Sequence, residues 1–422
     1  LLLAVVNSAL LSRATAADDA PVVYNASNAD LISRPLKETP TRGHPLLLEL
    51  AGEEQPDAAV FQQPTFSFLD RYGIKMAGWL EQGFTANPSS PADRSNLPVI
   101  FNDRANDYQL NQFWIHAGRP VRSDGRGFDI GGRVDLTYGT DSHFTTSHGL
   151  ENSWNSPNSN MQLAMPQLYA EVALKRFSMI FGHYLTPIGY EYTPAAPNFF
   201  YSHSYNFNFE PGTFTGTLAT YRISDQLQLS AGFQRGAQTW TPRYADNDRL
   251  GVVSAGQWSS RDKRAIVQFA MSSNRLGPAG VYRNNTYALV VQYHISRRLH
   301  YVFEQAGWQQ VGRMSAADTL CEDVDFRYGT CQYLFYKIND CWKAGARFSW
   351  NGYYQMQRSA ADGARQVSNY NIYSATFGLN WCPCQTVVVR PEIRIDWSDA
   401  ARFDDHSETD QLLLAVDAIL KF

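Results

Sequence analysis

No stretch of this chain approaches the ~20 consecutive apolar residues of a membrane helix. Mean hydropathy is −0.36. That excludes helical spans but not a membrane protein built of strands, where every second residue points at water and the average stays polar. Charge of one sign is missing too. The 36 basic and 40 acidic residues leave a net −4, so there is no electrostatic footprint for nucleic acid. Neither Gly-x-Ser-x-Gly nor His-Glu-x-x-His occurs, which removes two common hydrolase signatures. His183 with Ser202, and His203 with Ser204, are the nearest base–nucleophile pairs. Adjacent residues of an extended chain point apart, so no enzyme and no cofactor is expected.

Cysteines number only five, a usage consistent with an oxidising envelope. Cys321 and Cys331 fall within one expected outer loop and are placed to staple it. Cys341 lies at the edge of one expected short turn, with Cys382 and Cys384 in another on the same side. Cys341 is placed to pair with either. Cys-Pro-Cys alone makes a poor metal site, since two thiolates lack two further ligands.

Aromatic residues are plentiful: 23 Tyr, 24 Phe and 10 Trp. They sit in a period-two pattern. In the last segment, Gln411 to Phe422, one parity is wholly apolar (Leu412, Leu414, Val416, Ala418, Leu420, Phe422) and the other carries Gln411, Asp417 and Lys421. Such alternation gives a strand one greasy and one wet face. An aromatic last residue on such a strand resembles the C-terminal signal of bacterial outer-membrane barrels.

The pattern predicts strands over 74–85, 108–118, 127–138, 167–175, 178–184, 214–223, 227–236, 250–259, 264–273, 284–295, 299–307, 332–338, 341–356, 370–381, 387–397 and 411–422. Segments 108–118, 178–184 and 250–259 alternate poorly. Odd-numbered gaps are long (86–107, 139–166, 185–213, 237–249, 274–283, 308–331, 357–369, 398–410) and even-numbered gaps are short. Outer-membrane barrels have long external loops and short periplasmic turns, so the expectation is an all-β transmembrane antiparallel barrel of about 16 strands. Residues 1–17 read as a signal peptide with a truncated start, 18–73 as a periplasmic extension and 74–422 as the barrel.

A basic side chain facing lipid at mid-bilayer costs about 2–4 kcal/mol, so the charged parity must face the interior. That assigns Glu81, Arg133, Asp135, Glu171, Lys343, Arg347, Arg390, Glu392, Arg394 and Asp396 to the lumen. Signs alternate, and most of these charges are expected to form wall ion pairs. Pro391 lies on the apolar parity and predicts a bulge or kink. The third long connection, 185–213, is rich in Pro and aromatic residues. Rings of that density favour burial, so the loop is expected to fold inward and constrict the lumen. Glu191, Asn198, His203, Tyr205 and Glu210 are its candidate functional residues.

Several segments resemble the OmpL-like β-barrel porin-2 family: GWLEQGFTANP (Gly78 to Pro88), LNQFWIHAGRPV (Leu110 to Val121), GGRVDLTYGTD (Gly131 to Asp141), MPQLYAEVAL (Met165 to Leu174), IGYE (Ile188 to Glu191), NFFYSHSY (Asn198 to Tyr205) and RPEIRIDWS (Arg390 to Ser398). They run in order along the whole expected barrel; the extension before Gly73 is not covered. The resemblance implies a bacterial outer-membrane location, surrounding lipid, small hydrophilic solutes as passengers and, by analogy, a homotrimer. One departure is PGTFTGT, Pro211 to Thr217, which lacks the His that follows the aromatic loop in the family pattern. No role of that His carries over. The competing expectation is a structural or adhesive barrel with a blocked lumen.

Overall fold

The computed structural model describes residues 69, 71–121, 127–156, 159–241, 250–276, 282–316, 319–358 and 365–422. The signal-peptide reading and nearly all of the proposed extension lie outside the described residues.

Sixteen antiparallel strands close into one barrel, each paired with its sequence neighbours and β1 with β16. They are β1 (Lys75–Ala86), β2 (Asp107–Arg119), β3 (Phe128–Gly139), β4 (Gln162–Leu174), β5 (Phe177–Leu185), β6 (Thr213–Arg222), β7 (Leu227–Ala237) and β8 (Gly251–Ser259). Then follow β9 (Ala265–Leu276), β10 (Tyr282–His294), β11 (Leu299–Ala316), β12 (Thr319–Lys337), β13 (Trp342–Arg358), β14 (Arg365–Cys384), β15 (Val387–Ser398) and β16 (Asp410–Lys421). Every expected strand is present; the long–short phase of the connections holds from β1 to β9 and for β15–β16, but the connections β9–β10, β11–β12 and β13–β14 are short because their strands run further than expected.

Alternation decides which face goes where. On β15 and β16, Ile393, Ile395, Trp397, Leu412, Leu414, Val416 and Leu420 are exposed, while Arg390, Glu392, Arg394, Asp396 and Asp417 are buried. With no free edge, every ladder donor and acceptor at bilayer depth finds a partner strand. Outward aromatics stack near both rims. Trp342 lies on Trp381 at 5.9 Å, and Tyr373 on Trp397 at 5.5 Å. Eight residues of β13 separate Trp342 from Trp350, about 27 Å along a strand and about 20 Å in height at a barrel's usual tilt. The two girdles therefore bracket one lipid band.

The seam between β1 and β16 uses the last residue. Phe422 and Gly78 exchange backbone hydrogen bonds of 2.8 and 2.9 Å. A Cβ on Gly78 would fall 2.4 Å from the Trp114 carbonyl and 2.7 Å from the Phe422 ring, so only glycine admits both neighbours there.

Three expectations need correction. The expected outer loop 308–331 is strand: β11 and β12 pair from Leu299↔Tyr336 up to Ala316↔Thr319. That hairpin rises beyond the lipid band, where neither face has to be greasy, and so its alternation disappears. Cys331 consequently sits inside β12 opposite Glu304, buried and free, while Cys321 pairs with Met314 further up the strand. Ten residues of extended chain place the two about 33 Å apart, beyond the reach of a disulfide. Cys341, Cys382 and Cys384 form no disulfide among the described residues. Third, Pro391 introduces no bulge: it stays in register with Val416, and against β14 the ladder is interrupted beside it, between Gly378↔Glu392 and Trp381↔Val389, with the register kept.

Candidate functional site: an inward loop latched to a charged wall

The third long connection, 186–212, starts and ends at paired residues, Leu185 and Thr213. Apart from a 3-10 turn at Phe207–Phe209 it has no regular structure, so its backbone groups need other partners once buried. The barrel wall supplies them. Glu392 accepts from the amides of Tyr201 (3.0 Å) and Ser202 (3.2 Å). Glu304 accepts from Tyr190 N at 2.6 Å. Gln112 accepts from Ala195 N at 3.0 Å and donates to Thr193 O at 2.9 Å. Gln268 donates to Pro187 O at 2.8 Å.

Three arginines take four further loop carbonyls. Arg347 donates to Ser202 O at 2.6 Å and pairs with Glu191 at 2.7 Å. Arg390 donates to Ala195 O and Asn198 O at 3.1 and 2.8 Å, while binding Asp417 and Glu81 on the wall. Arg394 donates to His203 O at 2.6 Å and pairs with Asp396 at 2.8 Å. It also lies 4.7 Å over the Tyr205 ring. A guanidinium suits this task, since its donors point in several fixed directions and serve a carboxylate and a carbonyl together.

Rings of the loop fill notches in the wall. A Cβ on Gly83 would meet the Tyr201 ring at 2.6 Å, and one on Gly345 the Phe199 ring at 2.4 Å. Phe199 and Phe200 then pack with Val290, Val302, Tyr333 and Phe335 of β10, β11 and β12. Replacing Gly345 with Leu should push Phe199 out of its notch. Limited proteolysis reads this as faster cleavage within 186–212, and an unchanged rate would reject the fit.

Of the ten expected wall charges, Arg133 pairs with Asp135 at 2.6 Å. Glu81, Asp135, Glu171, Arg347, Arg390, Glu392, Arg394 and Asp396 are buried. Lys343 stands near the short-turn end opposite Lys337 and Asn380. The five loop residues are all in place, but three do different work from a charged eyelet. Glu191 is bound to Arg347. Burial pushes its carboxyl up, yet the Arg347 guanidinium, aided by hydrogen bonding from Ser204, outweighs that and holds it below its usual range. Burial lowers His203 to about 4, so the ring is neutral at pH 7. Its Nε2 lies 3.1 Å from the Tyr192 carbonyl, which can only accept, so Nε2 carries the hydrogen. Burial, followed by the Glu304 and Glu191 carboxylates, raises Glu210 well above the ordinary carboxylate range. Asn198 braces the loop internally at Tyr192 O (2.6 Å). Tyr205 is fully buried.

Sequence reading missed Asn111, Gln112 and Glu304. The first two sit at a register shift between β1 and β2, where Glu81 faces Gln112 and Gln82 faces Leu110. This bulge turns both side chains inward, and it is why 108–118 alternates poorly. Both amides hold Asp141, at 2.8 and 2.9 Å. Burial lifts the Asp141 carboxyl to about 7 against the pull of those two amides. A folded-state value above the ordinary 3.8 means that this group's contribution to stability is greatest in acid and falls as pH rises towards about 7. Urea midpoints of the wild type should decline across that window. Asp141→Asn should flatten the slope by one group's share, and an identical slope would reject the assignment.

His183 and Ser202, one of the nearest base–nucleophile pairs in the sequence, are engaged with other partners. His183 contacts Ser147 Oγ and Thr215 Oγ1 at 3.3 and 2.7 Å, and the Ser202 hydroxyl accepts from Arg347 at 2.8 Å. Among the described residues no group of three His, Cys, Asp or Glu is placed to hold a metal ion.

A family model described as "Putative beta-barrel porin-2, OmpL-like" matches residues 73–422. The fold is similar to the outer-membrane channel DcaP of Acinetobacter baumannii, with TM-score 0.52, 9% identity, and 83% of this chain and 97% of that one covered. It is also similar to a loop-deletion mutant of OmpT, an outer-membrane protein of Vibrio cholerae, with TM-score 0.53, 11% identity, and 83% and 99% covered. No curated protein sequence matches the chain.

Proposed function

The chain belongs to the OmpL-like β-barrel porin-2 family of the bacterial outer membrane, and from that premise we propose that it is a passive channel for small hydrophilic solutes, narrowed by the loop 186–212. The observation that carries this reading is the docking of the loop's backbone onto wall side chains from β9 through β11, β13 and β15 to β2. On this reading a loop so fastened reduces the open section and leaves a passage beside it. Because the wall arginines are committed to carboxylates and loop carbonyls, they contribute little free charge to a passing ion. Selectivity then rests on the width left open and on the few side chains not so engaged.

Conductance of the purified protein in a planar bilayer tests the proposal. Stepwise, ohmic openings are the expected result. A folded, inserted sample that stays silent would reject it and favour a structural barrel with a blocked lumen.

A further inference from the structure

A cleft of about 340 Å³ opens beside the upper ends of β12, β13 and β14. Its outward residues form two rows across the strands, with Tyr353 and Tyr370 of the lumen parity paired between them. Tyr328, Gly352 and Asn371 make the lower row, and Phe326, Tyr354 and Asn369 the upper one. Both rows share the parity of the exposed Leu334, Phe348 and Phe377, so the cleft faces away from the lumen. Gly352 is its floor, since a Cβ there would meet the Tyr328 ring at 2.5 Å. Asp399 closes one side and is fixed by Asn371, which donates to it from N and from Nδ2, each at 2.7 Å. Trp350 of the outer girdle braces Asn371 from below at 3.0 Å. Among the described residues, the Tyr328 and Tyr354 hydroxyls and the Asn369 amide make no side-chain hydrogen bond.

Height identifies the occupant. The two rows lie two and four residues beyond Trp350 on β13, or about 5–10 Å above the girdle after allowing for tilt. That is the headgroup layer of the outer leaflet. The chemistry narrows it further. Aromatic faces offer flat apolar contact, while phenol, amide and carboxylate groups offer hydrogen bonds of both polarities. The neighbouring cations are engaged behind the cleft, on the lumen parity: Arg327 pairs with Asp325 at 2.9 Å and lies over Trp308, and Arg402 lies over the inner Tyr370. Asp399 disfavours an anion. A sugar ring, with apolar C–H faces and peripheral hydroxyls, fits this lining better than a phosphate.

We propose that this cleft binds a neutral sugar of the glycolipid headgroup in the outer leaflet. The test uses the full chain refolded in detergent without lipopolysaccharide. It is titrated with rough-type lipopolysaccharide, with its deacylated core oligosaccharide and with phosphatidylglycerol, and bound species are counted by native mass spectrometry. Lipopolysaccharide should bind, the oligosaccharide should displace it and phosphatidylglycerol should not. Binding should weaken about tenfold in the Tyr354→Ala/Asn369→Ala variant. It should weaken equally in Asn369→Trp, which fills the cleft and keeps the barrel's heat-modifiable mobility. Equal binding by Asn369→Trp overturns the proposal, as does displacement by phosphatidylglycerol. Oligosaccharide that binds as well as the intact glycolipid would assign the cleft to free saccharide and overturn the leaflet source. A changed oligomeric state with unchanged glycolipid binding would overturn it in favour of self-contact.

Discussion

Excising residues 190–209 and joining the stubs with a short Gly-Ser turn should raise single-channel conductance several-fold while the barrel still forms. The stubs are already adjacent: Leu185 pairs with Thr213, and Thr186 N donates to Gly212 O at 3.0 Å. The sixteen-strand ladder does not depend on the loop. What the excision removes is the material held against the inner wall by Arg347, Arg390, Arg394 and Glu392. Their freed donors and acceptors become open to lumen water. Unchanged conductance from a folded variant would show that the loop does not set the narrowest section. Glu191→Lys gives a milder version of the same effect. It sets a second cation against Arg347 and should unfasten the loop instead of merely altering ion preference.

The largest loss of stability should follow Arg390→Met. Arg390 joins β15 to Asp417 of β16 and Glu81 of β1, and reaches two loop carbonyls as well. Its side chain is 2% exposed, and those of Glu81 and Asp417 are 2% and 0% exposed. Removing one member of such a cluster strands the others, at a cost of about 3–5 kcal/mol. Urea unfolding from lipid vesicles should show this as a lowered midpoint. The triple change Arg390→Met, Asp417→Leu, Glu81→Gln should recover much of it, because replacing a whole buried ionic group by apolar or neutral side chains is often nearly neutral. A single variant as stable as wild type would show that water reaches the cluster and does the pairing.

How much of this was legible beforehand depends on where each residue stands relative to lipid. Strands inside the bilayer announce themselves, because lipid forces one parity to be apolar; β15 and β16 were read almost to the residue. The upper halves of β11 and β12 escaped, because Gln309, Gln310, Asp323 and Asp325 stand above the lipid and carry no such constraint. The charged parity was found, including Arg347, Arg390 and Arg394. Its partners were not, since a loop carbonyl such as Ser202 O or His203 O leaves no mark in sequence. One usable signal was passed over. Gly83 and Gly345 lie on the charged parity, Gly378 on the inward polar parity of β14, and all three receive loop rings. A glycine among inward charges marks a place where something large approaches.

The contact between Gly78 and Phe422 has a consequence for biogenesis. The two strands that must meet are the most distant in the chain, so the seam is the last pairing whose loop-closure entropy has to be met. Until β16 pairs with β1, both remain open edges able to template pairing with another chain. The eight pairs from Trp79↔Lys421 to Ala86↔Leu414 finish the cylinder and remove that hazard together.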